Sequence, residues 1–208
     1  MSFEAQVDRL VTWGYPALAG LGESAFRDVL APLAAQAHHL DEVAGEDRPG
    51  RTAYVVVVTR TLVDPTATVP LLRLVGGRKP GVVDRNHAPG DLATYDPLPD
   101  LEVPESGAYL LVDVDRGEEF CGVRPEEALP VIRSRGRTPL TIDEGIAVVT
   151  HAPELLEKNR CFMLSGSRRA DRRVPAMWIS ERAPKLGWCW DGNPHSWLGV
   201  ASAARRIA

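Results

Sequence analysis

The sequence predicts an α+β protein, with N-terminal helices, a mixed or antiparallel sheet, a central helical pair and C-terminal strands. Three observations carry this. Apolar residues recur at helical spacing over the first forty positions, short β-branched runs fill the middle, and strand-like runs return after residue 160 without regular strand–helix alternation. The chain has 208 residues, 44% hydrophobic and 25% charged, enough to bury one core. A single domain over residues 1–208 is expected, with a helical part at 1–45 packing on an α+β core at 51–208.

The helical start follows Ser2, a suitable N-cap, with Phe3, Val7, Leu10 and Val11 on one stripe that stops at Gly14-Tyr-Pro16. A second stripe, Phe26, Val29, Leu30 and Leu33, meets Pro32, which kinks it or begins a new segment. Residues 41–50 turn acidic and Gly/Pro-bearing and read as a surface loop and hinge.

Residues 54–59 are short and β-branched, the pattern of a strand buried on both faces. Residues 71–75 and 109–113 are the next expected strands, with an irregular Pro/Gly/Asp-rich stretch at 76–106 between them. The helical pair comes next. Pro125 opens its first member and Gly136 ends it; Thr141-Ile-Asp-Glu144 is a capping box for the second, which breaks near Pro153. Strands are expected over 161–164, 174–180 and 186–190. From Ser196 the tail is small and apolar and ends in Arg205-Arg206.

Composition limits the function classes. No apolar run has the length of a membrane span, and the acidic, amphipathic start is unlike a secretory leader, so a soluble cytoplasmic protein without a membrane partner is expected. Cys121, Cys161 and Cys189 are odd in number and lack CxxC spacing, which predicts unpaired thiols, with Cys121 and Cys161 buried. Lys79, Lys158 and Lys185 are the only lysines, a bias of GC-rich genomes. Between Arg160 and Lys185 seven basic residues face two acidic ones. That window carries +5, and the rest of a chain of net charge −4 carries −9. The footprint is too small for broad nucleic-acid binding.

Chemistry-bearing residues gather in the C-terminal third. Four of the five tryptophans lie between Trp178 and Trp197. Trp188 and Trp190 share one strand face and form either a core wall or a stacking platform, with Cys189 on the other face. His195, on the Gly192-Asn193-Pro194 turn, is either bonded within its turn or a base or ligand beside Asp191. The segment 165–173, with Arg168, Arg169, Asp171, Arg172 and Arg173, reads as a hairpin loop, either a solvated tip or an anion site. Asp113 and Asp115 share one side of a strand end and could hold Mg²⁺, or be a solvated terminus. Cys189 and His195 lack a second close pair of ligands for zinc, and His38-His39 is distant, so no metal is expected. Nucleotide-fold, hydrolase-elbow and kinase signatures are missing, and no cofactor is expected.

Five segments together resemble an uncharacterised family of actinomycete proteins, a domain of unknown function. They are Gly14-Tyr-Pro-Ala-Leu-Ala-Gly20, Leu111-Val-Asp-Val-Asp115, Arg137-Thr-Pro-Leu-Thr-Ile-Asp-Glu-Gly145, Asp171-Arg-Arg-Val-Pro-Ala-Met-Trp-Ile-Ser180 and Pro184-Lys-Leu-Gly-Trp-Cys-Trp-Asp-Gly-Asn-Pro-His195. The resemblance runs the length of the chain and implies no catalytic residues.

The leading expectation is a binding protein for a small polar or anionic ligand or peptide. Its site would comprise Arg168, Asp171, Arg172, Lys185, Trp188, Trp190, Asn193 and His195. Two alternatives stand beside it: an enzyme using Cys189 or His195, and an interaction or assembly module, for which a homo-oligomer is one form.

Overall fold

The computed structural model describes residues 1–43 and 48–208. It contains both helices and antiparallel and mixed sheets, an α+β fold. Helix α1 (Phe3–Thr12) is capped by Ser2, whose hydroxyl accepts from the Ala5 amide, and it buries Phe3, Val7 and Leu10. It ends at Gly14, whose φ of 83° suits glycine. After a single turn, α2 (Tyr15–Leu18), come α3 (Glu23–Leu30) and α4 (Ala34–Val43). Between α3 and α4, Pro32 lies in a tight helical turn, so it begins a new segment. The loop expected at 41–50 starts later, because α4 runs on to Val43; the hinge expectation falls largely on residues 44–47, outside the described residues.

Strand β1 (Arg51–Val58) follows, then the short turn α5 (Pro65–Thr68), capped by Asp64. Residues 71–75 are not a strand. Pro70 supplies no amide to a ladder, Leu72 closes a tight turn onto the Val69 carbonyl, and Val75 is 68% exposed. The apolar run buries only Leu72 fully, so no strand face forms. The stretch 76–106 is mostly irregular, as expected, apart from the two-residue strands β2 (Val82–Val83) and β3 (Asp96–Pro97) and a short helical turn.

Strand β4 (Ala108–Asp115) pairs antiparallel with β1, placing Val55 opposite Leu111 and Val57 opposite Tyr109. Both faces of this pair are covered. Tyr54, Val56, Leu110 and Val112 pack against Phe26 and Leu30 of the helical layer. Val55, Val57, Tyr109 and Leu111 face the opposite core. That is why the run at 54–57 is uninterrupted rather than alternating; each such Val or Leu contributes about 1.5–3 kcal/mol on burial.

Helix α6 (Pro125–Ser134) and strand β5 (Thr138–Pro139) lead into α7 (Ile142–His151). The α7 capping box is complete: Thr141 Oγ1 accepts from the Glu144 amide at 3.4 Å, and Glu144 Oε2 accepts from the Thr141 amide at 2.6 Å. At the other end of α7, Arg9 of α1 donates to the Thr150 and His151 carbonyls at 2.9 and 3.2 Å. The helical layer is thereby tied to the core across the sheet.

The second sheet combines β6 (Cys161–Met163), β8 (Arg173–Ser180), β9 (Ala183–Trp190) and β10 (Leu198–Val200), with β2 at the far edge. The β6–β8 and β8–β9 pairs are antiparallel, and β10–β6 and β2–β9 are parallel. A two-residue strand β7 (Ser167–Arg168) pairs with β3. The tail is no mere apolar end. After β10 joins the second sheet, β11 (Ser202–Ala203) and β12 (Arg205–Ile207) join β4 of the first, so one short segment stitches both sheets together. No helix among the described residues is long and apolar enough to cross a membrane.

Candidate functional site

The β8–β9 hairpin positions most of the expected site residues, and its register divides them. Arg173 lies opposite Trp190, Pro175 opposite Trp188, and Trp178 opposite Lys185. Trp188 and Trp190 share a face, with ring centroids 4.9 Å apart and planes at 74°. The Arg173 guanidinium covers Trp188 at 4.3 Å from its centroid, and Trp188 Nε1 donates to the Asn86 carbonyl at 2.8 Å. Trp190 is 43% exposed.

Lys185 and His195 belong to the other side. Lys185 shares a face with Trp178, because the two are cross-strand partners, and its ammonium is 3.2 Å from Asp84. Trp178 meets Trp197 edge-on at 6.3 Å, and His195 lies 5.7 Å from Trp197. Lys185 does not flank the Trp188–Trp190 pair, because odd and even positions of β9 face apart, and the ring beside His195 is that of Trp197. Asn193 is exposed on the turn, which its amide closes onto the Trp190 carbonyl at 3.0 Å.

The arginine segment is not a free hairpin tip. Ser165 and Ser167 are buried, Ser167 Oγ accepts from the Ile142 amide at 3.1 Å, and Ser167 and Arg168 pair with β3. Each arginine meets a carboxylate. Arg168 lies 3.0 Å from Asp191 and Arg169 2.9 Å from Asp91. Arg173 is 3.2 Å from Asp171 and 3.6 Å from Asp91, and Arg172 pairs with Glu126. Four guanidiniums thus face four carboxylates, and the arginine segment is locally neutral. Burial pushes the Asp191 carboxyl up although Arg168 pulls it down, and burial also lowers Arg168. Their charges touch, yet Arg168 Nη1 and Nη2 and Asp191 Oδ1 make no aligned hydrogen bond. The Tyr95 hydroxyl and both His87 ring nitrogens are buried without a partner, their rings 5.6 Å apart. Burial raises Tyr95 to about 12 and lowers His87.

The nucleophile candidates are quiet. Burial pushes the Cys189 thiol up to about 11, away from the thiolate. Burial lowers His195, and no hydrogen bond joins the two among the described residues. All three cysteines are free. Cys161 is buried, and Cys121, expected to be buried, is only half-buried. Asp113 binds Arg137 at 2.6 Å and Asp115 binds Arg51 at 2.6 Å, so each carboxylate already has a cation. Among the described residues no group of three or more His, Cys, Asp or Glu is arranged to hold a metal.

Folding also assembles a site that the sequence reading missed. A groove of about 360 Å³ is lined by Arg133 of α6, Arg137, Thr138 of β5, Arg205 and Arg206 of β12, and the loop carrying Asp100 and Glu102. Arg137 and Arg206 are held rigidly. Arg137 donates from Nε to Ser202 Oγ at 2.9 Å, from Nη1 to Asp113 Oδ2 at 2.6 Å, and from Nη2 to the Asp113 and Ser202 carbonyls. Arg206 donates from Nε and Nη2 to Glu144, from Nη1 to Thr138 Oγ1 at 2.7 Å, and from Nη2 to the Pro139 carbonyl. Each keeps one Nη1 proton uncommitted. Arg133 pairs with Asp100 at 2.5 Å, and Arg205 has no ion-pair partner among the described residues. The only trace in the sequence is Arg133, Arg135 and Arg137 at every second position across a helix end, with Arg205-Arg206 far down the chain.

No curated protein and no solved structure matches the chain. A family model described as a family of unknown function (DUF5701) matches residues 9–208, and the chain belongs to that family.

Proposed function

We propose that this protein binds a small anionic ligand, and that the groove between α6, β5 and β12 receives it. The observation that supports this reading is the convergence of four guanidiniums on one concave surface, where Arg205 has no ion-pair partner among the described residues. A groove of about 360 Å³ falls at the small end of ligand sites, roughly 300–1,000 Å³. Arg137 and Arg206 are fixed by their hydrogen bonds and offer a remaining donor at little entropic cost, while Arg205 supplies unneutralised charge. The Arg168–Arg173 cluster suits an anion less well, because all four of its arginines touch carboxylates, whereas the groove keeps Arg205 without an ion-pair partner among the described residues. Free cysteines accord with the cytoplasmic setting that belongs to this proposal.

Calorimetric titration with inorganic phosphate and short dicarboxylates tests it. Binding should weaken at least tenfold in Arg205→Gln, an exposed position whose change spares the fold. Equal affinity in the variant, or no binding by any of these anions, would sink the groove reading.

A second reading is a polar ligand at the Trp188–Trp190 edge. It is favoured by the exposure of Trp190 and by the polar atoms of Arg168, Tyr95 and His87 that are buried without a hydrogen-bond partner. Ligand-dependent fluorescence lost in Trp190→Phe would support it over the groove.

A further inference from the structure

The groove contains an open strand edge. On one side of β4 lies β1; on the other lie β11 and then β12. Strand β5 covers β11, with Pro139 opposite Ser202 and Thr138 opposite Ala203. Among the described residues no strand covers the outer edge of β12. Side-chain alternation locates the groove. Arg206 turns toward Glu144 at the start of α7, whereas Ile207 packs with the core under the helical layer. Arg205 therefore shares the face of Ile207, opposite to Arg206. A cavity touching Ala204, Arg205 and Arg206 together runs along the strand's edge and not over either face.

Such an edge presents unpaired backbone amides and carbonyls, which an extended chain can complete by adding a strand. We propose that the ligand of this groove is an extended acidic peptide segment, paired through its backbone with the outer edge of β12 and seating carboxylates against Arg137, Arg205 and Arg206. This rests on the anion-binding reading of the groove. The three residues Arg205–Ile207 span about 10 Å at roughly 3.3 Å each, room for three or four peptide residues. Leu101 lines the groove and offers an apolar contact for one alternate side chain, and the Arg133–Asp100 pair lines it as well. A second copy of β12 is a poor occupant, because its own two arginines would meet these. Arg205, exposed and without an ion-pair partner among the described residues, supplies the positive charge that selects an acidic partner.

The test is fluorescence anisotropy with labelled, N-acetylated pentapeptides that alternate Asp or Glu with Val. Controls are the same peptides with alternate backbone amides N-methylated, their Asn/Gln counterparts, and competition by inorganic phosphate. The acidic peptides should bind, weaken at least tenfold on N-methylation and on Arg205→Gln, and lose binding when neutralised. If N-methylated peptides bind equally, or phosphate binds and peptides do not, strand addition is overturned while the anion site stands. If neither phosphate nor peptide binds, the anion reading fails and takes this one with it. Self-association abolished by Arg205→Gln, without peptide binding, would assign the edge to a second copy and also overturn the proposal.

Discussion

Arg206 Nε donates to Glu144 Oε1 at 2.6 Å, in an ion pair whose side chains are 6% and 0% exposed. The same carboxylate accepts from the Tyr109 hydroxyl at 2.8 Å and from the Thr141 amide. One buried group therefore joins the C-terminal strand, the centre of β4 and the start of α7. Burial, with the Glu144 charge beside it, holds the Tyr109 hydroxyl well above its usual range, so it remains a donor. Removing one partner of such a pair leaves the other charged and buried.

Arg206→Met should therefore destabilise the protein by about 3–5 kcal/mol, and the double change Arg206→Met, Glu144→Leu by less than the sum of the single ones. Urea denaturation of the four species measures the coupling. Additive effects would show that β12 is held by its backbone pairing alone.

The capping box makes a smaller, separable contribution. Thr141→Ala should cost about 0.5–2 kcal/mol through loss of the N-cap hydrogen bond. Glu144 still accepts from the residue 141 amide in this variant, so the loss should fall below that of Arg206→Met. A midpoint in urea unchanged from wild type would count against the box as a stabilising element.

His151 gives the protein a pH-dependent stability. It is buried at the end of α7, beside a small cavity it shares with Tyr15, Thr68 and Thr150, and both its ring nitrogens lack partners. Burial lowers it from 6.5 to about 3, helped by the Arg9 charge and the chain's N-terminal amine and opposed by the Val56 backbone. The native state keeps the ring neutral, while the unfolded chain takes a proton below its ordinary value. Stability is therefore whole above pH 6.5 and is lost as pH falls toward about 3, at about 1.4 kcal/mol per pH unit. His151→Gln should flatten the stability profile between pH 6.5 and about pH 5, where few carboxylates titrate. An unchanged slope would place the dependence on His87 or His195.

Local signals were legible and assembled ones were not. The β-branched run of β1, the Thr141–Glu144 box and Pro125 at the start of α6 each encode their element within a few residues. Leu71 to Val75 misled because composition carries no information on the turns that Pro70 and Gly77 impose. The tail's three-residue strands, Leu-Gly-Val in β10 and Arg-Arg-Ile in β12, are too short to announce themselves; their pairing with β6 and β4 supplies what propensity does not. For the candidate site, the alternation of Trp188, Cys189 and Trp190 was legible, but its neutralisation was not. Asp91 and Glu126, which face Arg169 and Arg172, come from segments far up the chain. The groove arginines are separated in the same way, Arg133 and Arg137 on one side and Arg205 and Arg206 on the other.

At Gly187, β9 passes against the ring of Trp178. A Cβ built there would lie 2.0 Å from Cη2 of Trp178, so the outer end of the indole occupies a position that only glycine leaves clear. Gly187 needs no unusual backbone angle, and a substitution acts through this contact alone. Gly187→Ala should cost about 1–3 kcal/mol by overpacking and displace Trp178 from its edge-on contact with Trp197, shifting tryptophan emission toward the red. In a Trp178→Ala background the clash is gone, and the same change should be nearly neutral or mildly stabilising, because alanine restricts the unfolded chain more than glycine does. Denaturation of the two single variants and the double variant decides it. An equal penalty for Gly187→Ala in both backgrounds would mean that the strand requires glycine for a reason other than the indole above it.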